Sequence, residues 1–193
     1  MPTLHTPAFR GDIVRLPVFR KDFVTKSQFI NFWSRQYSYE NDPLYDDNIG
    51  KELIEDRIWD LFHWKNNGPL SEKKKKSVKE NYIKERIKIP TYSDSIVLLT
   101  YLNNPGGAIW QIFWLHCNHP NKYPIYDQHV HRAMAKLNGW NELEIPSQNR
   151  EKVQMYIEHY LPFWSEFLEF PLKKVDEALW SYGKFLKLNY DFE

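Results

Sequence analysis

The sequence predicts an all-α domain, and three observations carry that prediction. No segment alternates apolar and polar residues with the period of two that a half-buried strand requires. Across 51–64, Ile54, Ile58, Leu61 and Phe62, followed by the stem of Lys65, fall at i, i+4, i+7, i+8 and i+11, one face of a helix. Two apolar stretches, 96–102 and 108–117, read as helices on either side of the tight turn Asn103-Asn104-Pro105-Gly106-Gly107.

Residues 1–24 carry Pro2, Pro7, Gly11 and Pro17 between short apolar pieces and read as an irregular N-terminal arm. Ser27 is placed to cap a helix running to about Arg35, with Phe29, Ile30 and Trp33 on one face. Residues 38–50 form a polar, turn-rich loop. The amphipathic helix 51–64 ends at Asn67-Gly68-Pro69. Ser71 opens a basic helix to about Arg86, with Val78 and Tyr82 facing inward. Pro90 breaks the chain, and Ser93 or Asp94 caps the first apolar helix. After the second, 119–126 is a loop with two prolines, and Asp127 stands at the N-cap of a helix to about Asn138. Helices at about 147–160 and 173–187 complete seven to nine in a single domain spanning 1–193.

Composition narrows the chemistry. A chain of 193 residues with 42% apolar and 26% charged residues is long enough for one domain and short for two. The lone Cys117 excludes an intrachain disulfide, a cysteine-held iron–sulfur cluster and a four-cysteine zinc site. With 7 glycines and neither GxGxxG nor GxxxxGK[ST], dinucleotide and P-loop chemistry are not expected. No apolar run approaches a membrane helix and the N-terminus has no signal-peptide core, so a cytoplasmic setting, or a nuclear one in a eukaryote, is expected, with no membrane partner. His116 and His119 are three apart, but Pro120 ends their helix, and no metal or other cofactor is expected. Asp46-Asp47 lacks a spaced partner set for Mg2+ and reads as part of a polar loop.

The net charge of +1 hides an uneven distribution. Seven acids lie between Asn41 and Asp60, and nine bases between Lys65 and Lys88. The run Lys73, Lys74, Lys75 and Lys76 is either a solvated helix face or a contact for DNA phosphates. The tryptophans fall on helical faces and read as core, Trp110 and Trp114 among them. Trp64-Lys65-Asn66-Asn67, at a helix end, is the best candidate for the rim of a pocket.

The stretch 103–139 carries the functional signal. Pro105 and Gly106 stand in a turn between two apolar helices. Asp127 follows Pro105 by twenty-two positions, in the context Asp127-Gln128-His129-Val130-His131-Arg132. This resembles the core of the helix-hairpin-helix DNA glycosylase superfamily, the group of endonuclease III and the oxoguanine glycosylases: a Pro-Gly hairpin followed by Asp-x-His-Val-x-Arg. The resemblance covers 93–139 well and 170–187 loosely, where Lys173–Lys187 is similar to the family's glycine-containing closing helix. It implies a bundle of two lobes with a cleft and double-stranded DNA as partner. The backbone of Asn104, Pro105, Gly106, Gly107 and Ala108 would hold a phosphate, with possible contacts from His129 and Arg132. Hairpin N–H groups bind phosphate without reading sequence. The target base must leave the stack, and a carboxylate beside the sugar then stabilises the oxocarbenium-like charge or activates water. The resemblance gives Asp127 that role.

The chain also departs from the family. The hairpin usually reads Leu-Pro-Gly-Val-Gly, and here it is Asn-Asn-Pro-Gly-Gly-Ala. In lyase-competent members a lysine lies about 18 to 19 residues before the aspartate. Ala108 and Ile109 stand at those positions, so the expected enzyme is monofunctional. Read as single residues, Asp127 is also a good helix cap, His129 a structural histidine, and Arg132 a partner for either a phosphate or an acid. Two rivals stay open: a non-catalytic DNA-binding member of the fold, and a protein-interaction domain using the acidic and basic segments.

Overall fold

The computed structural model describes residues 25–84, 95–102 and 107–189, and their regular structure is helical, with no strand among them. The N-terminal arm, the Ser93 and Asp94 caps and Asn104, Pro105 and Gly106 of the turn lie outside the described residues.

Helix α1 is Lys26–Ser34, capped by Thr25, whose Oγ1 accepts from the Gln28 N–H at 3.2 Å. Ser27, expected to be the cap, lies inside the first turn. Thr25 takes the role because its backbone is extended, as a cap requires. The loop expected over 38–50 contains one short helix, α2 (Asp42–Asp46), with Pro43 in its first turn. Helix α3 spans Glu55–Asn66 and begins later than the apolar row suggests. Ile54 is its cap and is 39% exposed, while Ile58, Leu61 and Phe62 are buried. Glu55 and Asp56 occupy the positive first turn, and Asn67, left-handed at φ 54°, ends the helix.

Helix α4 (Glu72–Val78) is capped by Ser71 and runs on through a π turn, Lys79–Ile83, that buries Tyr82 and Ile83. Helices α5 (Ser95–Leu102) and α6 (Ala108–Asn118) flank the turn, and α6 buries nearly its whole length. Helix α7 (Gln128–Leu137) follows a loop, then α8 (Asn149–Met155), a π turn (Tyr156–Tyr160), α9 (Leu161–Ser165) and the long α10 (Leu172–Asn189).

Helix α10 packs along both α7 and α1. Against α1 the contact is aromatic: Tyr182 meets Phe29 edge-on at 5.3 Å and Trp33 at 5.1 Å. Against α7 it is backbone on backbone. A Cβ on Gly183 would sit 1.8 Å from the His129 carbonyl oxygen, so only glycine permits this approach. Gly183 thus sets the closing helix against the first turn of α7. A second aromatic layer, Phe62, Tyr82, Phe113 and Trp114, joins α3, the π turn after α4 and α6. No described helix is long and apolar enough to cross a membrane.

Candidate functional site

The second half of the loop 119–126 is buried rather than a surface connection, while Asn121 and Lys122 are exposed. Tyr123, Ile125 and Tyr126 are each 3% exposed or less. Three hydrogen bonds fix it from different helices. His116 Nδ1 on α6 donates to the Tyr123 carbonyl at 2.7 Å. The Tyr156 hydroxyl donates to the Pro124 carbonyl at 3.2 Å, and the Tyr126 hydroxyl pairs with His131 Nδ1 at 2.7 Å. Burial holds His116 down at about 4, so its imidazole is neutral and Nε2 is free to accept from the Tyr45 hydroxyl at 2.7 Å.

Asp127 emerges from this loop in an extended conformation (φ −156°, ψ −176°) at the N-terminus of α7. Its Oδ1 accepts from the His129 and Val130 N–H groups at 2.9 and 3.1 Å, as the N-cap reading requires. Its Oδ2 faces Lys65 Nζ at 3.4 Å, and the Lys65 side chain is only 8% exposed. Burial by itself would raise the Asp127 carboxyl. The Lys65 ammonium, His129 and the two cap hydrogen bonds outweigh it and hold the group below its usual 3.8. The carboxylate is thus fixed in position and ionised.

A second carboxyl shares the neighbourhood. Asp176, on α10, is pushed up to about 8, first by burial and then by the charge of Asp127, with Lys65 pulling the other way. At neutral pH one acid beside Lys65 is ionised and the other holds its proton. Asp176 also lines a cavity of about 310 Å³, partly open to solvent and bordered by α2, the end of α3, loop 120–125, α9 and the start of α10. Tyr45, Trp64, His116 and Trp164 supply its aromatic lining.

The other expected residues divide. Arg132 is buried at 2% exposure. Its Nη2 donates to Glu144 Oε1 at 2.7 Å and its Nη1 to the Gly183 carbonyl at 3.2 Å. Of the two partners expected for it the structure shows the acid, and a guanidinium turned inward reaches no DNA phosphate. His129 is part-buried against Trp180, rings 5.3 Å apart. Lys73, Lys74, Lys75 and Lys76 are exposed on α4. Lys74 Nζ reaches Asn66 Oδ1 at 2.5 Å and lies 5.8 Å from the Trp110 ring. At the hairpin, Gly107 has φ 86°, a conformation that favours glycine, and its carbonyl begins the α6 ladder. The Ala108 N–H, expected to face a phosphate, instead donates to Asn149 Oδ1 of α8 at 3.3 Å.

Of the Trp64–Asn67 segment, expected at the rim of a pocket, Trp64 lines the cavity wall. Trp64 is 8% exposed and donates from Nε1 to Asp42 Oδ1 at 3.2 Å, and Lys65 points inward. The acids of 41–60 are partly neutralised as well, since Asp46 and Asp42 both face Lys173 of α10, at 2.5 and 3.5 Å. Sequence reasoning missed Lys65 as the partner of Asp127, and it missed Asp176 and Asn149. Only Lys65 carried a signal, because its stem continues the buried row of α3.

No protein-family model, curated protein or solved structure matches the chain.

Proposed function

We propose that the chain is a monofunctional N-glycosylase acting on a damaged or modified base in double-stranded DNA, built as a helix-hairpin-helix bundle of two lobes with a cleft, with Asp127 as the catalytic carboxylate. The observation that supports it most is the state of Asp127: pinned through Oδ1 by the first turn of α7, held ionised beside buried Lys65, and set directly after a loop tied down by three hydrogen bonds. A fixed negative charge is what a developing oxocarbenium ion needs nearby, and holding it in place before reaction avoids the cost of reorientation. At 3.4 Å the Lys65 contact is longer than the ~2.7–2.9 Å of a tight charge-assisted hydrogen bond, so Oδ2 is not fully committed to it. The exposed lysines of α4 add contacts to the DNA backbone, a sequence-independent term that weakens with salt.

The test uses duplexes carrying single damaged, mismatched or modified bases, followed by alkali. Asp127→Asn preserves the cap, since Asn is as good an N-cap as Asp. It should abolish alkali-dependent cuts and leave DNA retention intact. Excision unchanged by the substitution refutes the role. Borohydride added during turnover checks the second part: a covalent protein–DNA adduct that disappears in Lys65→Met would show that Lys65, the amine against Asp127, acts as a nucleophile and that the enzyme is not monofunctional.

A further inference from the structure

The cavity beside α10 has a polar economy with one gap. Asp42 Oδ1 accepts from the Tyr37 hydroxyl at 2.8 Å and from Trp64 Nε1. Asp46 binds Lys173 through both oxygens, and Glu177 lies 3.8 Å from the same ammonium. Both nitrogens of His116 are engaged, one of them by Tyr45. Asp176 differs: its Oδ1 is buried and has no hydrogen-bond partner. Native interiors leave few polar atoms in that state, and each asks for an explanation. This one belongs to a side chain lining a cavity whose volume, about 310 Å³, lies at the small end of the ~300–1,000 Å³ of ligand pockets. The walls are aromatic, with Tyr45 and Trp64 packed at 4.5 Å on one side and Trp164 also in the lining.

We propose that this cavity binds a planar nitrogen heterocycle of nucleobase size, held edge-on by the Asp176 carboxyl through an adjacent hydrogen-bond donor and acceptor on the ring. The aromatic lining suits a flat ligand, since every base offers a π face. The edge pairing follows from the carboxyl: in its protonated form it has one O–H to give and one C=O to accept with. Adenine and cytosine each present an amino group next to a ring nitrogen, which complements that pair. Burial comes first in keeping the proton on Asp176, followed by the charge of Asp127 at the cap of α7, with Lys65 of α3 opposing and Glu177 on its own helix and Asp42 of α2 adding to it. The hydroxyls of Tyr37, Tyr45 and Tyr160 feel its charge in turn. Raising the pH ionises Asp176 and removes its donor, so affinity falls. A free heterocycle tests the site without DNA. Only the further step, that the base arrives extruded from a duplex, rests on the glycosylase reading.

The experiment titrates free adenine and free cytosine into the full chain. It follows the fluorescence of the tryptophans, two of which line the cavity, and the heat of binding. One of the two bases should bind the wild type at pH 6.5 and bind at least tenfold more weakly at pH 9. Asp176→Asn keeps a donor and an acceptor but cannot ionise, so it should bind equally at both pH values. Asp176→Ala should lose at least tenfold at both, with circular dichroism confirming that each variant is folded. Absence of binding by both bases at pH 6.5, or binding indifferent to Asp176→Ala, overturns the proposal. Binding of free base by a chain that excises nothing from duplexes sustains this site and removes the glycosylase reading. Excision by Asp127 with no dependence on Asp176 does the reverse.

Discussion

Asp176→Asn makes a prediction about stability that is independent of any ligand. Asp176 binds its proton up to about 8 in the folded chain, against the ordinary 3.8 of an aspartate. The sign follows from linkage. Below pH 3.8 both states are protonated and the group contributes nothing. Between 3.8 and about 8 the unfolded chain releases the proton while the folded chain keeps it, so stability falls as pH rises. Above 8 the full cost stands. At ~1.4 kcal/mol per tenfold change in proton affinity, the upper bound is about 6 kcal/mol. Asp176 lines an open cavity, and water there lowers the figure. An asparagine cannot ionise and escapes the cost. Relative to wild type, Asp176→Asn should therefore gain about 2 kcal/mol or more at pH 8.5 compared with pH 4. In urea that is a midpoint shift of ~1 M at a slope of ~2 kcal/mol/M. Parallel stability profiles for the two proteins between pH 4 and pH 8.5 would refute the placement of a proton on Asp176. Asp127 does not blur the test. Its folded value lies below 3.8, so it stabilises above 3.8 and loses that contribution only at more acid pH.

Two further substitutions probe the frame of the site. Lys65→Met leaves the Asp127 carboxylate buried without its counter-ion and should cost about 3–5 kcal/mol at pH 7 in urea unfolding. The loss should shrink in acid as Asp127 takes up a proton, and a loss that does not shrink would place it in packing alone. Gly183→Ala drives a methyl group into the His129 carbonyl, an obstacle made of backbone that no rotamer can clear. It should cost about 3 kcal/mol or more, at the upper end of overpacking effects, and a melting temperature like that of wild type would show that α7 and α10 can separate cheaply.

Much of the helical order was legible because the punctuation is local. Ser71, Asn67-Gly68, and Asp127 cap or end the helices where their chemistry says they should. The misreadings came where a longer-range choice decides. Thr25 outcompeted Ser27 for the α1 cap, and α3 began after Ile54 although Ile54 continues the apolar row. The π turns after α4 and α8 were invisible, since one extra residue per turn leaves no mark on composition. At the site, the spacing from hairpin to Asp127 was visible, but its electrostatics were not. Lys65 lies sixty-two positions before Asp127 and Asp176 forty-nine after it, and only the packing of α10 along α7 and the reach of Lys65 from the end of α3 bring their charges together. Arg132 shows the same limit, because a basic residue that the sequence allows to meet either a phosphate or an acid turned inward to Glu144 and the Gly183 carbonyl.

A helix cap and a catalytic carboxylate make different demands, and the difference can be measured. Capping α7 needs only one oxygen within reach of the His129 and Val130 N–H groups, and Asn supplies it. A buried lysine facing the other oxygen adds nothing to a cap and carries a desolvation cost of its own. If Lys65 and Asp127 serve only each other, removing both should be nearly neutral for stability, because the penalty of either single change is the charge left unpaired. The double variant Lys65→Met/Asp127→Asn should thus recover most of the stability that each single variant loses, a coupling of about 2–3 kcal/mol in a double-mutant cycle. Base excision under the proposed function does not recover with it. The double variant has a stable fold, an intact cap and no carboxylate, so it should release no base. A double variant as stable as the wild type that still excises would detach the chemistry from Asp127. One that is stable and inactive isolates the missing charge from every consequence of unfolding.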